Sequence, residues 1–73
     1  LVSEEVRLAE LAKVAGDEVT METLKQANVL KDATLHAKII LSGELNKAVT
    51  VRGIKVTKGA REAIVAAGGK VED

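Results

Sequence analysis

Four basic side chains, Arg52, Lys55, Lys58 and Arg61, recur at every third position of one short stretch. Such groups act on polyanions: an arginine forks onto phosphate oxygens through paired N–H groups, and a lysine supplies a compact point charge. Lys38 and Lys47 extend the same basic segment upstream. Thr57 is placed to cap a helix whose first turns carry Lys58 and Arg61. A helix entrance exposes unpaired N–H groups and a partial positive charge, so cations there cost a few tenths to about 1 kcal/mol each. A sequence selected for folding alone places Asp or Glu in that turn. A phosphate seated on the entrance would resolve the misfit, and Gly59 at the second helical position would let it approach the backbone closely. The other reading stays open here: Gly59 only permits close packing, and the basic groups form a solvated face.

Other candidate chemistry is thin. His36 is the sole histidine and there is no cysteine, so the usual ligand set of a zinc site cannot be assembled. It reads as a surface or half-buried loop histidine, with Asp32 four residues earlier as a pairing partner. Ser3 and Ser42 lack a base and an orienting group. Gly68-Gly69 follows a helix rather than joining a strand to one, so it is a terminator and not a nucleotide loop. No catalytic residue, cofactor, metal or small-molecule substrate is expected. Phe, Tyr and Trp are absent, which excludes readers that stack bases on such rings. A nucleic acid would be held by its phosphates, sugars and shape.

The formal net charge is zero, but the charges are unevenly placed. Residues 1–37 sum to −3, residues 38–61 to +5 and residues 62–73 to −2. Local polarity of this kind steers an anionic partner more than net charge does. The acids Glu4, Glu5, Glu10, Asp17 and Glu18 read as a solvated face, turned from any polyanion toward solvent or a basic neighbour.

Seventy-three residues make one domain. Its large core candidates are all aliphatic: eight Leu, ten Val, four Ile and Met21, supported by eleven Ala. Val and Ile favour strands, and Ala and Leu favour helix, which gives a mixed α+β class. The start, Leu1-Val2-Ser3-Glu4-Glu5, has neither the basic nor the apolar part of a signal peptide. No apolar run approaches the roughly 20 residues that span a bilayer. A soluble, cytoplasmic protein is expected, and the first residue, not Met, reads as that of a fragment or processed product.

Two main helices position the candidate residues. Ala60, Ala63, Ile64 and Ala67 form one apolar stripe between Thr57 and Gly68-Gly69. A shorter helix runs from Met21 to about Ala27, capped by Thr20 and ended by Asn28 in a left-handed conformation. Lys38–Ser42 reads as a buried strand closed by Gly43, and Val49-Thr50-Val51 and Ile54-Lys55-Val56 as alternating strands. Their parity changes across Arg52-Gly53, so Gly53 marks a bulge, bend or tight turn. Val71 belongs to a final short strand. The first fifteen residues carry both periods and are taken as a strand followed by a helical turn.

The stretch from Lys38 to Gly68 holds Lys-Ile-Ile-Leu-Ser-Gly, then Val49-Thr50-Val51-Arg-Gly-Ile-Lys-Val-Thr57-Lys-Gly-Ala60-Arg-Glu-Ala-Ile64-Val-Ala-Ala-Gly68. In order and spacing it resembles the bacterial L-fifteen family of large-subunit ribosomal proteins, and Arg52-Gly53 with Lys58-Gly59-Ala60-Arg61 is similar to its proteobacterial members. Val19-Thr20-Met21-Glu22-Thr23-Leu24-Lys25 and Ala27-Asn28 look like that family too. The resemblance covers residues 1–73 as the C-terminal globular domain of a longer protein, whose basic, glycine-rich N-terminal half is missing here. It implies irregular β-β-α turns, a structural role in the large subunit, and ribosomal RNA and neighbouring ribosomal proteins as partners. Under it, Arg52, Lys55, Lys58, Gly59, Arg61, Lys47 and Lys38 are the expected RNA-binding residues. A small protein–protein interaction module without an RNA role is the alternative.

Overall fold

A computed structural model describes residues 2–72; Leu1 and Asp73 lie outside the described residues. Residues Ser3–Arg7 form strand β1, with Val6 buried between the exposed Glu5 and Arg7. A 3-10 helix over Leu8–Lys13 then seats Leu8 and Leu11 in the core. The start is thus a strand followed by a helical segment, the two periods each governing their own part. There follow β2 (Glu18–Val19), α1 (Met21–Gln26), β3 (His36–Ile40), β4 (Thr50–Arg52), β5 (Lys55–Val56), α2 (Lys58–Ala66) and β6 (Lys70–Glu72). The chain is α+β, with α1 and α2 as its two main helices.

Every strand pair is parallel. The odd strands build one sheet in the order β1-β3-β5, and the even strands build a second in the order β2-β4-β6. The chain therefore winds as an irregular superhelix, laying one strand into each sheet on every circuit. Aliphatic side chains stack in register along the inner faces. Val6, Ile39 and Val56 form one row, and Val19, Val51 and Val71 the other. Leu24 of α1 and Ile64 of α2 are fully buried within the same core. Each such side chain contributes about 1.5–3 kcal/mol through its burial.

Both helices end as their sequences require. Thr20 accepts from the Thr23 backbone N–H at 3.2 Å, and Thr23 Oγ1 accepts from the Thr20 N–H at 2.8 Å, a reciprocal capping box. The Thr57 hydroxyl accepts from Ala60 N–H at 3.3 Å. At the far end of α1, Asn28 has φ 60°, and N–H groups of Asn28 and Val29 close onto Lys25 and Leu24 carbonyls at 3.1 and 2.9 Å. Gly68, with φ 91°, does the same for α2, where Gly68 and Gly69 donate to Val65 and Ile64, both at 2.9 Å. These are paired Schellman closures. Gly69 has a second role: a methyl group there would land on the Val49 carbonyl oxygen and lie 2.9 Å from the Val49 nitrogen.

Three details differ from the sequence reading. β3 is not buried on both faces: Ala37 and Ile39 point inward while His36 and Lys38 are exposed. Parallel strands covered on both faces read as unbroken apolar runs, and Lys38 already breaks this one. His36 is not in a loop but opens β3, opposite Ser3. Glu4 is not simply a solvated acid. Its Oε2 accepts from the hydroxyl of fully buried Thr34 and from the Lys31 backbone N–H at 3.0 Å, pinning the loop that leads into β3. These bonds, Thr34 first, hold the Glu4 carboxyl below its ordinary pKa.

Candidate nucleic-acid interface

The fold divides the basic run between two sheets and a helix. Arg52 sits on β4, the middle strand of the second sheet, flanked by acids on both neighbours. Its Nη1 lies 3.1 Å from Glu18 Oε2 on β2, and its Nε lies 3.4 Å from Glu72 Oε1 on β6. The outer face of that sheet thus neutralises its own cation. Lys47 is likewise engaged within the molecule: its Nζ donates to the Val14 carbonyl at 2.6 Å, tying the β3–β4 loop to the end of the 3-10 helix.

The first sheet is built the opposite way. Lys38 on β3 and Lys55 on β5 are direct register partners, both exposed on the outer face. Side chains so placed stand about 5 Å apart at their roots, and like charges directly opposite destabilise a sheet. Glu5 on β1 is the partner of Lys38 on its other side. Among the described residues no carboxylate lies within 4.0 Å of either ammonium group. The chain then passes straight from Lys55 through Val56 to the Thr57 cap, whose backbone N–H donates to Ile39 of β3 at 3.0 Å. That bond fixes the entrance of α2 beside the two lysines. Lys58 is exposed at the first helical position. Arg61 follows three residues later, on the same side of the helix, and is half-buried.

Lys38 and Lys55 are thus neighbours on the first sheet and Lys58 and Arg61 follow on α2, while Arg52 and Lys47 are held by partners on other elements. Gly59 is half-buried beneath Leu41, whose Cδ2 would lie 2.9 Å from an added Cβ. Close packing accounts for this glycine without reference to an anion. What composition could not reveal was which cations have carboxylate neighbours, because those neighbours come from strands distant in sequence. Among the described residues no helix is long and apolar enough to cross a membrane.

Residues 4–72 match the family described as "Ribosomal proteins 50S-L15, 50S-L18e, 60S-L27A". The chain is similar to the large ribosomal subunit protein uL15 of Vibrio vulnificus, at 63% identity over 73 residues, which is 100% of this chain and 51% of that protein. To the protein of the same name from Pseudoalteromonas atlantica it is 59% identical over 73 residues, again 100% of this chain and 51% of the relative. To that of Tolumonas auensis it is 61% identical over 72 residues, 99% of this chain and 50% of the relative. The chain spans about half the length of these relatives.

Proposed function

The chain belongs to the family of ribosomal proteins 50S-L15, 50S-L18e and 60S-L27A, and on that premise we propose that it is a structural part of the large subunit of the cytoplasmic ribosome, binding ribosomal RNA beside neighbouring ribosomal proteins and catalysing nothing. The observation that carries the RNA-binding face is the in-register pair Lys38 and Lys55, two exposed ammonium groups side by side without an ion-pair partner among the described residues. Such a pair works against folding and in favour of a phosphate placed between the two charges. Lys58 and Arg61 continue the face, and Gly59 serves the packing of Leu41 rather than the contact itself. Lys47 and Arg52, although part of the same basic segment, brace the fold instead.

RNA contact of this kind is governed by counterion release. Each phosphate contact adds about −0.7 to −0.9 to the slope of log affinity against log salt. The test is the triple variant Lys38→Glu, Lys55→Glu, Lys58→Glu in the full-length protein, measured by incorporation into large subunits and by salt titration of RNA binding. Loss of incorporation with an unchanged circular dichroism spectrum supports the proposal. Normal incorporation, or RNA affinity indifferent to salt, sinks it and leaves the protein–protein module as the better account.

A further inference from the structure

The outer face of the first sheet carries more than its lysines. Read along the chain, Leu35, His36 and Lys38 offer an apolar side chain, a planar ring and a cation. Leu35 is 66% exposed, and Met21 from the start of α1 lines the same groove. Glu5 and Lys55, the register partners of Lys38, line it from the strands on either side. The groove has a volume of about 550 Å³, well inside the range of small-ligand sites. Along β3, His36 and Lys38 share the outer face about 7 Å apart, within the reach of one nucleotide from its phosphate to its base, and Leu35 lies just before the strand at the same groove. A surface that gripped phosphates alone would gain nothing from an exposed leucine and a methionine beside its cations.

We propose that this groove takes a single unstacked guanine nucleotide of the bound RNA, its phosphate between Lys38 and Lys55 and its base on His36 against Leu35 and Met21. The inference rests on the RNA-binding proposal for the same face. His36 carries the one side-chain ring in the sequence, and imidazole is among the rings on which splayed bases stack. The Glu5 carboxylate, when ionised, is an acceptor only. It therefore selects a base edge with two adjacent N–H donors, which among the four RNA bases only guanine presents.

The experiment is an amide chemical-shift titration of the 73-residue chain with guanosine 5′-monophosphate, the other three ribonucleoside monophosphates and inorganic phosphate. It is paired with affinities for an RNA hairpin bearing a single bulged guanine and for its fully paired counterpart. The guanine nucleotide should shift Glu5, Leu35, His36 and Lys38 together, whereas phosphate alone should shift only the lysine neighbourhood. The bulged hairpin should bind at least about fivefold tighter than the paired one, the lower end of what one stacked base contributes. His36→Ala and Leu35→Ser, both at exposed positions, should erase that preference and leave affinity for the paired hairpin unchanged. Equal binding of the two hairpins, or nucleotide shifts no larger than those from phosphate, overturns the nucleotide site while leaving phosphate contact intact. Failure of both hairpins to bind overturns the RNA-binding proposal as well.

Discussion

Gly69→Ala puts the packing of the second sheet to a direct test. The glycine lies between the end of α2 and the start of β6, where its backbone passes over Val49. An added methyl would overlap the Val49 carbonyl oxygen and lie 2.9 Å from the Val49 nitrogen and 3.0 Å from Ile64 Cγ2. Two of these neighbours are backbone atoms, so no rotamer change relieves the clash. The same carbonyl accepts the Lys70 N–H at 2.9 Å, the bond that opens the β4–β6 ladder. Overpacking of about 1–3 kcal/mol and the loss of that bond, about 1 kcal/mol, together come to roughly 3 kcal/mol. A chain of this size has a total stability of about 4–11 kcal/mol, so the variant should lose a large share of it. The expected fall in Tm is about 12–24 °C. Gly16→Ala is the control. Gly16 has φ 79° with no atom within 4 Å of an added Cβ, so the cost there is conformational, about 1–2 kcal/mol. Urea unfolding followed by far-UV circular dichroism is the assay, since the chain has no aromatic residue to provide fluorescence. Should Gly69→Ala prove no less stable than Gly16→Ala, the close approach of the α2–β6 turn to Val49 is refuted.

The Glu4 carboxyl is held below its ordinary pKa by the Thr34 hydroxyl and then the Lys31 N–H, so its contribution is complete above about pH 4.3 and is lost as pH falls through the lowered value. Urea midpoints should decline across that acid window, and Glu4→Gln should flatten the decline. Asn28 occupies the left-handed region at φ 60°, so Asn28→Gly should stabilise by up to about 1 kcal/mol and Asn28→Val destabilise by about 1–2 kcal/mol, both read from urea midpoints. Arg52, Glu18 and Glu72 are all about half exposed, at 52%, 51% and 52%, so Arg52→Gln should cost at most about 1 kcal/mol of stability. It should leave the salt slope of RNA binding unchanged, whereas Lys55→Gln should reduce that slope by nearly one contact; equal effects would return Arg52 to the interface.

Local chemistry was legible in the sequence wherever a single residue settles it. Thr20 and Thr57 cap the helices, Asn28 and Gly68 close them, and the Ala60–Ile64 stripe faces the core, because caps and periodicity depend on neighbours in the chain. Strand boundaries moved by one or two residues, as ladder bonds decide them. The two-residue strand Glu18–Val19 has no pattern of its own and exists because Thr50 and Val51 lie alongside. Parallel pairing could not be read from spacing, and with it went the fate of the charges. Arg52 reads as an unpaired cation until Glu18 and Glu72 are brought to it, and Lys38 as isolated until Lys55 is. Burial of Thr34 was equally out of reach, since its partner Glu4 lies thirty positions earlier.

The uniform strand direction bears on how this chain comes to be folded. Among the described residues no two adjacent strands are joined by a hairpin, so no ladder there can zip up from a turn; each waits until an entire crossover has been synthesised. β1 finds a neighbour only when residues 36–40 exist, and the second sheet lacks its last member until Lys70–Glu72 are made. Separations of that size place it among slow folders for its length. During translation the nascent segment would leave the exit tunnel with its helices able to form and its second sheet unable to close, and loss of Lys70–Glu72 would strip that sheet of an edge strand.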